Sequence, residues 1–179
     1  TFGKIDAVDI LVNCAGAARS ASFQQTDKSL WDDMIAVNLT SIYLCCKAVI
    51  PGMLRRKYGR IVNVASTAGL EASRYVSAYV AAKHGAVGLT RALALEMSGT
   101  GITANAVCPG YTDTNLFRSA AKQLAEKSDM TEKEAATVLL RSNLQVRLLT
   151  PSEVAQTVLG LCLPDAETVS GECIVLSGK

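Results

Sequence analysis

The chain is 179 residues long, 49% apolar and 19% charged, with 18 basic against 16 acidic residues and a formal charge of +2. That length suits one layered domain with a substantial core, and a mean hydropathy of +0.23 excludes a disordered or fibrous chain. Aromatic residues make up 5% and the one basic cluster is Arg55-Arg56-Lys57, too little for a nucleic-acid reader.

No uninterrupted apolar run reaches the roughly 18 residues of a membrane span, and the first residues lack the charged start and apolar core of a signal peptide. No membrane partner is expected. The six cysteines show neither Cys-x-x-Cys nor Cys/His zinc spacing, so no metal is expected. Cys14, Cys45, Cys108, Cys162 and Cys173 sit in apolar runs and read as reduced, buried small hydrophobes of a cytoplasmic protein.

In chain order, residues 9–16 form a short apolar run closed by glycine, the pattern of a strand buried on both faces of a parallel sheet. Over residues 28–57, Trp31, Met34, Ile35, Leu39, Ile42 and Tyr43 recur at helical spacing, with Asp27 as cap and Pro51-Gly52 marking a kink or end. Residues 60–66 repeat the strand pattern. Residues 77–97, rich in Ala and Leu and followed by Gly99 and Gly101, predict a second helix, and residues 102–108 a third strand. After Pro109-Gly110 come two weaker helical patterns, 116–127 and 131–142. Pro151-Ser152-Glu153 then opens a helix to about residue 163, and 173–176 make a fourth strand. The alternation predicts an α/β fold with a doubly wound parallel sheet, residues 1–179 forming a single domain. No glycine-rich phosphate loop of the Gly-x-Gly-x-x-Gly or Gly-x-x-x-Gly-x-Gly kind is present.

Tyr79 and Lys83 stand four residues apart, one helical turn, and so project from one face. A nearby cation favours a phenolate, which would make Tyr79 a general acid/base with Lys83 as its activator. An exposed helical pair is the ordinary alternative. Ser66 ends the second strand at the carboxyl edge of the sheet, where open α/β sheets bind ligands. There its hydroxyl can donate to a developing oxyanion, or simply cap the next turn. Asn38 interrupts a helix that it suits poorly and marks either a local distortion or a satisfied buried amide. His84, the only histidine, is about 100° around the helix from Lys83 and reads as structural.

Taken in order with Asn13-Cys14-Ala15-Gly16 before them and Pro109-Gly110 after, these residues resemble the classical short-chain dehydrogenases/reductases, over about Phe2 to Gly178. The resemblance implies a Rossmann-type three-layer α/β/α fold whose first strands are missing from the chain. It also implies a catalytic set of Asn38, Ser66, Tyr79 and Lys83, and NAD or NADP held by Asn13, Ala15, Gly16, Tyr79, Lys83, Pro109, Gly110, Thr112 and Thr114. Tyr79 would exchange the alcohol proton and Ser66 would hold the substrate oxygen. Lys83 would lower the Tyr79 pKa and bond the nicotinamide ribose, and Asn38 would hold a water leading to solvent. The implied partner is a small-molecule ketone or alcohol, and since family members are commonly tetramers packed through the two long helices and the last strand, a homodimer or homotetramer is expected.

The segment 112–150 resembles the substrate cover of 3-hydroxybutyrate dehydrogenases and 3-oxoacyl reductases. Ala68 and Val76 stand where the former place a His and a Lys to grip a carboxylate, which favours a 3-oxoacyl thioester or a related keto substrate. Cys14 replaces the family's second Asn. With the glycine loop missing, the competing expectation is a truncated, non-catalytic assembly subunit of the same fold.

Overall fold

A computed structural model of the chain describes residues 7–179, so the start of the resemblance at Phe2 lies outside the described residues. Strands β1 (Ile10–Asn13), β2 (Gly59–Val64), β3 (Ile102–Pro109) and β4 (Cys173–Leu176) form one sheet in the order β1-β2-β3-β4. Every pairing is parallel, with Asn13 opposite Asn63 at the end of β1. Parallel neighbours need helical crossovers. These are α1 (Lys28–Ile35) with α2 (Ser41–Arg56), then α3 (Ser77–Glu96), and finally α4 (Asn115–Ser128), α5 (Glu132–Ser142) and α6 (Pro151–Cys162).

Strand alternation sorts the core into two layers. Ile61 and Ala104 pack with Ile42, Cys46, Val49 and Met53 of α2 and with Ala86 and Ala94 of α3. Val62 and Val107 pack on the opposite face against Val154, Val158, Leu161 and Cys162 of α6. Each fully buried Ile or Val contributes about 1.5–3 kcal/mol, so these two seams hold the layers together.

β1 is not buried on both faces as its apolar run predicts. Leu11 packs on the α2 side, but Ile10 and Val12 are 46% and 41% exposed. The reason is positional: α6 packs on β2 and β3, while the same face of the edge strand β1 opens into a cavity. Cys14, just past β1, is exposed for the same reason, and Cys45 and Cys173 are half-buried, whereas all three were expected to be buried.

The helix predicted over residues 28–57 forms, and Asp27 caps it by accepting the Leu30 N–H at 2.8 Å. One turn of π-helix, Ala36–Thr40, joins α1 to α2 and puts Asn38 at its centre, the distortion that this residue signals. The helix runs through Pro51 to Arg56 instead of ending there; buried Val49 and Met53 on either side hold the turn despite the missing N–H. The result is 29 helical residues, long and apolar enough by length and composition to cross a membrane, which the sequence reading did not expect. One stripe, Met34, Asn38, Ile42, Cys46, Val49 and Met53, is buried, and the helix packs on β1, β2 and α3.

Candidate functional site

A cavity of about 780 Å³ lies at the carboxyl ends of β1, β2 and β3. Asn38, Ser66, Tyr79 and Lys83 all line it, as do Gly16, Pro109, Gly110, Thr112 and Thr114. Asn13 and Ala15 do not. The Asn13 amide instead donates to Asn63 Oδ1 at 2.8 Å, Asn63 donates to Thr90 Oγ1 at 2.8 Å, and Thr90 donates to the Ala86 carbonyl at 2.7 Å. That chain ties the ends of β1 and β2 to α3, the helix carrying Tyr79 and Lys83.

Ser66 follows β2 and caps the 3-10 turn Thr67–Gly69 by accepting the Ala68 N–H at 3.1 Å. A serine hydroxyl has one proton and two lone pairs, so this bond leaves the proton available to the Tyr79 oxygen or to a ligand in the cavity. The turn docks closely on α3: a Cβ on Gly69 would sit 2.8 Å from the Lys83 carbonyl. Glycine there lets Ser66 approach the helix face bearing Tyr79.

Lys83 is 4% exposed, donates to the Val64 carbonyl at 3.0 Å and holds its ammonium 5.7 Å from the Tyr79 ring centre. One of its three donors is used, leaving two. Gly16 leaves room beside it, since a Cβ there would lie 3.0 Å from Asn38 Oδ1 and 3.6 Å from Lys83 Nζ. The Asn38 amide is engaged with main chain at both ends. It accepts the Ala17 N–H at 3.2 Å and donates to the Ala17 and Met34 carbonyls at 2.9 and 3.0 Å, so its side chain shapes the loop after β1.

Burial dominates the titration of both α3 residues. It pushes Lys83 down to about 8, opposed by Cys14 and Cys108. It pushes the Tyr79 phenol up, with the Ser66 hydroxyl opposing and Tyr111 reinforcing. The expected lowering of Tyr79 by Lys83 is therefore not met here: burial outweighs the lowering by the Ser66 hydrogen bond. A neutral, protonated phenol at neutral pH is the consequence.

Thr112 Oγ1 donates to the Gly110 carbonyl at 3.1 Å and Thr114 Oγ1 to the Thr112 carbonyl at 3.2 Å. With those protons spent, both oxygens are left as acceptors. The wall thus offers acceptors after β3 and ammonium donors from α3, a set that fits a ligand carrying an amide and sugar hydroxyls. His84 is exposed and faces the Val80 carbonyl of its own helix. Among the described residues no three His, Cys, Asp or Glu side chains come together as metal ligands. Tyr111 and Asn143 also line the cavity; the sequence signals neither beyond the adjacency of Tyr111 to Pro109-Gly110.

Comparison with known proteins gives a consistent picture. Residues 2–125 match the short chain dehydrogenase family. A D-beta-hydroxybutyrate dehydrogenase of Cupriavidus necator is 42% identical over 164 residues, covering 91% of this chain and 64% of that protein. A 3-oxoacyl-[acyl-carrier-protein] reductase of Vibrio harveyi is 36% identical over 173 residues, covering 96% and 66%. The chain thus spans about two thirds of the length of these relatives. The crystal structure of an actinorhodin polyketide ketoreductase variant with NADPH superposes with a TM-score of 0.88 at 38% identity, over 96% of this chain and 67% of that one.

Proposed function

We propose that this chain, which belongs to the short chain dehydrogenase family, interconverts a secondary alcohol and a ketone with NAD or NADP as hydride partner. The observation that carries the reading is the meeting of Ser66, Tyr79 and Lys83 on one cavity wall. A bound nicotinamide nucleotide supplies the hydride in reduction and accepts it in oxidation. Lys83 and Gly16 would hold its ribose side, and Pro109, Gly110, Thr112 and Thr114 its carboxamide side.

The chain's own residues handle the oxygen and its proton. Ser66 donates its free O–H to the carbonyl oxygen as negative charge builds on it. Tyr79 gives its phenolic proton to that oxygen in reduction and takes it back in oxidation. Burial that keeps the phenol protonated suits the reducing direction. Lys83 stabilises the phenolate left behind, a cation close enough to matter in a site shielded from water.

Residues 112–150, carrying α4 and α5, form the substrate cover. Ala68 and Val76 line the cavity, and among the described lining residues only Arg19 and Lys83 carry charge. Arg19 is paired with Asp33 at 2.7 Å and Lys83 serves the nucleotide ribose and Tyr79 in this reading, so no cation is left over for a substrate carboxylate. A 3-oxoacyl thioester fits this neutral cleft better than a keto acid. The test is nucleotide-dependent reduction of acetoacetyl-N-acetylcysteamine against acetoacetate. Preference for the thioester by about tenfold or more in kcat/KM, the worth of one lost charge-assisted bond, supports the reading; equal or reversed rates overturn it.

A further inference from the structure

Gln145 lies between α5 and α6, is 4% exposed, and uses every hydrogen-bonding position it has. Its Oε1 accepts the Tyr111 N–H at 2.7 Å and the Asn143 amide at 2.5 Å. Its Nε2 donates to the carbonyls of Tyr111 at 3.1 Å and Arg147 at 3.2 Å. A glutamine amide has two lone pairs and two N–H donors, so none is left over. One side chain thus grips both backbone polar groups of Tyr111, a residue 34 positions earlier.

The surroundings are built for this grip. A Cβ on Gly110 would strike Gln145 Oε1 and lie 2.8 Å from the Asn143 amide, so only glycine lets the clasp close. Beside it, Thr112 bridges Leu149, the Leu149 N–H donates to the Tyr111 carbonyl at 3.0 Å and the Asp113 N–H to the Leu149 carbonyl at 2.8 Å. The two legs of the segment carrying α4 and α5 are therefore zipped at the base. Asn143 extends the link by accepting Thr67 Oγ1 at 3.4 Å, next door to Ser66. On the other side, the Tyr111 ring packs on Phe117 in the first turn of α4, with centres 5.2 Å apart.

We propose that Gln145 is a positioning residue for the ketone: by clamping Tyr111, it fixes the α4 wall of the cleft relative to Ser66 and so sets how the substrate seats. The proposal rests on the functional reading above. Buried amides with all partners met hold one geometry because any other leaves a polar group unpaired. Replacing Gln145 by Glu keeps size and the Oε1 acceptor but strands the Arg147 carbonyl and sets a carboxylate oxygen against the Tyr111 carbonyl, which keeps only the Leu149 N–H; replacing it by Leu releases all four bonds.

The test uses the gene product carrying Gln145→Glu or Gln145→Leu, with acetoacetyl-N-acetylcysteamine as ketone, and reads both kinetics and amide hydrogen exchange. The expected result is a ketone KM raised about tenfold or more, as loosened substrate placement gives, with the nucleotide KM unchanged. Exchange should quicken at Tyr111, Asp113 and Leu149, but not in β2 or α3. Unchanged exchange at Tyr111, or an unchanged ketone KM, overturns the proposal. Exchange quickened throughout both variants also overturns it, since Gln145 would then be an ordinary core residue. Tyr79→Phe separates the two claims. If it, like the wild type, fails to differ from background, the functional reading falls, and the exchange pattern alone decides whether the clasp exists.

Discussion

Replacing Lys83 by Met removes a charge that the fold buries at a cost, and the cost has a pH signature. Burial holds Lys83 near 8 in the folded chain against an ordinary 10.5. Each pK unit is about 1.4 kcal/mol, so the buried ammonium costs the folded state about 3 kcal/mol at pH 7. The unfolded chain binds the proton more tightly between pH 8 and 10.5, so this group makes stability rise with pH across that window. Below about pH 8 both states are protonated and the penalty is fully present; above about 10.5 both are neutral and it is gone. Other groups titrate there too, including Cys46 and Cys108, each pushed up to about 11, so the informative quantity is wild type against Lys83→Met. Urea unfolding without added nucleotide should show the variant more stable at pH 7, with the advantage shrinking as pH rises from 8 to 10.5. An advantage that stays constant with pH, or grows, would refute the claim that desolvation controls Lys83.

Thr90→Val keeps the shape of a fully buried residue and removes the acceptor for the Asn63 amide. One orphaned buried N–H should cost about 1–3 kcal/mol in urea unfolding, and a loss below 0.5 kcal/mol, on the order of a surface change, would contradict the Asn13-Asn63-Thr90 chain as a structural tie. Trp31, Tyr43, Leu44 and Leu54 on α1 and α2 and Leu95 on α3 are exposed, and we expect them to be covered in a homodimer or homotetramer. Light scattering should find that assembly, and charged replacements at Leu44 and Leu54 should break it; a monomer at micromolar concentration would show that these faces serve something else.

The sequence conveyed the central strands well, because a strand between two helical layers must be apolar on both faces and β2 and β3 read that way; β4 read the same, but its Val175 is 52% exposed. It misjudged β1 for the same reason: Ile10 and Val12 are as apolar as core residues, and only the sheet order reveals that one face opens to the cavity. Asn38 announced a helix distortion through its poor propensity, and the π turn is where it appears. Pro51 announced a kink or an end, and with Val49 and Met53 packed on either side the helix does not end there. Ser66, Tyr79 and Lys83 stood out through their order along the chain and the family resemblance built on it, and the fold brings them to one cavity wall. Gln145 was not, since its value lies in partners at Tyr111 and Arg147 that no local pattern connects to it. The direction of the Tyr79 shift was also hidden, because burial is a property of the fold and the cation alone was visible in the chain.

The central claim is that Tyr79 moves the proton in a nucleotide-dependent reduction. Tyr79→Phe deletes one hydroxyl and leaves the ring, so nucleotide binding, followed by fluorescence titration, should persist at wild-type affinity. Single-turnover reduction of acetoacetyl-N-acetylcysteamine should slow by about 10²-fold or more, the ordinary contribution of a positioned acid. Equal single-turnover rates for the two proteins would contradict it.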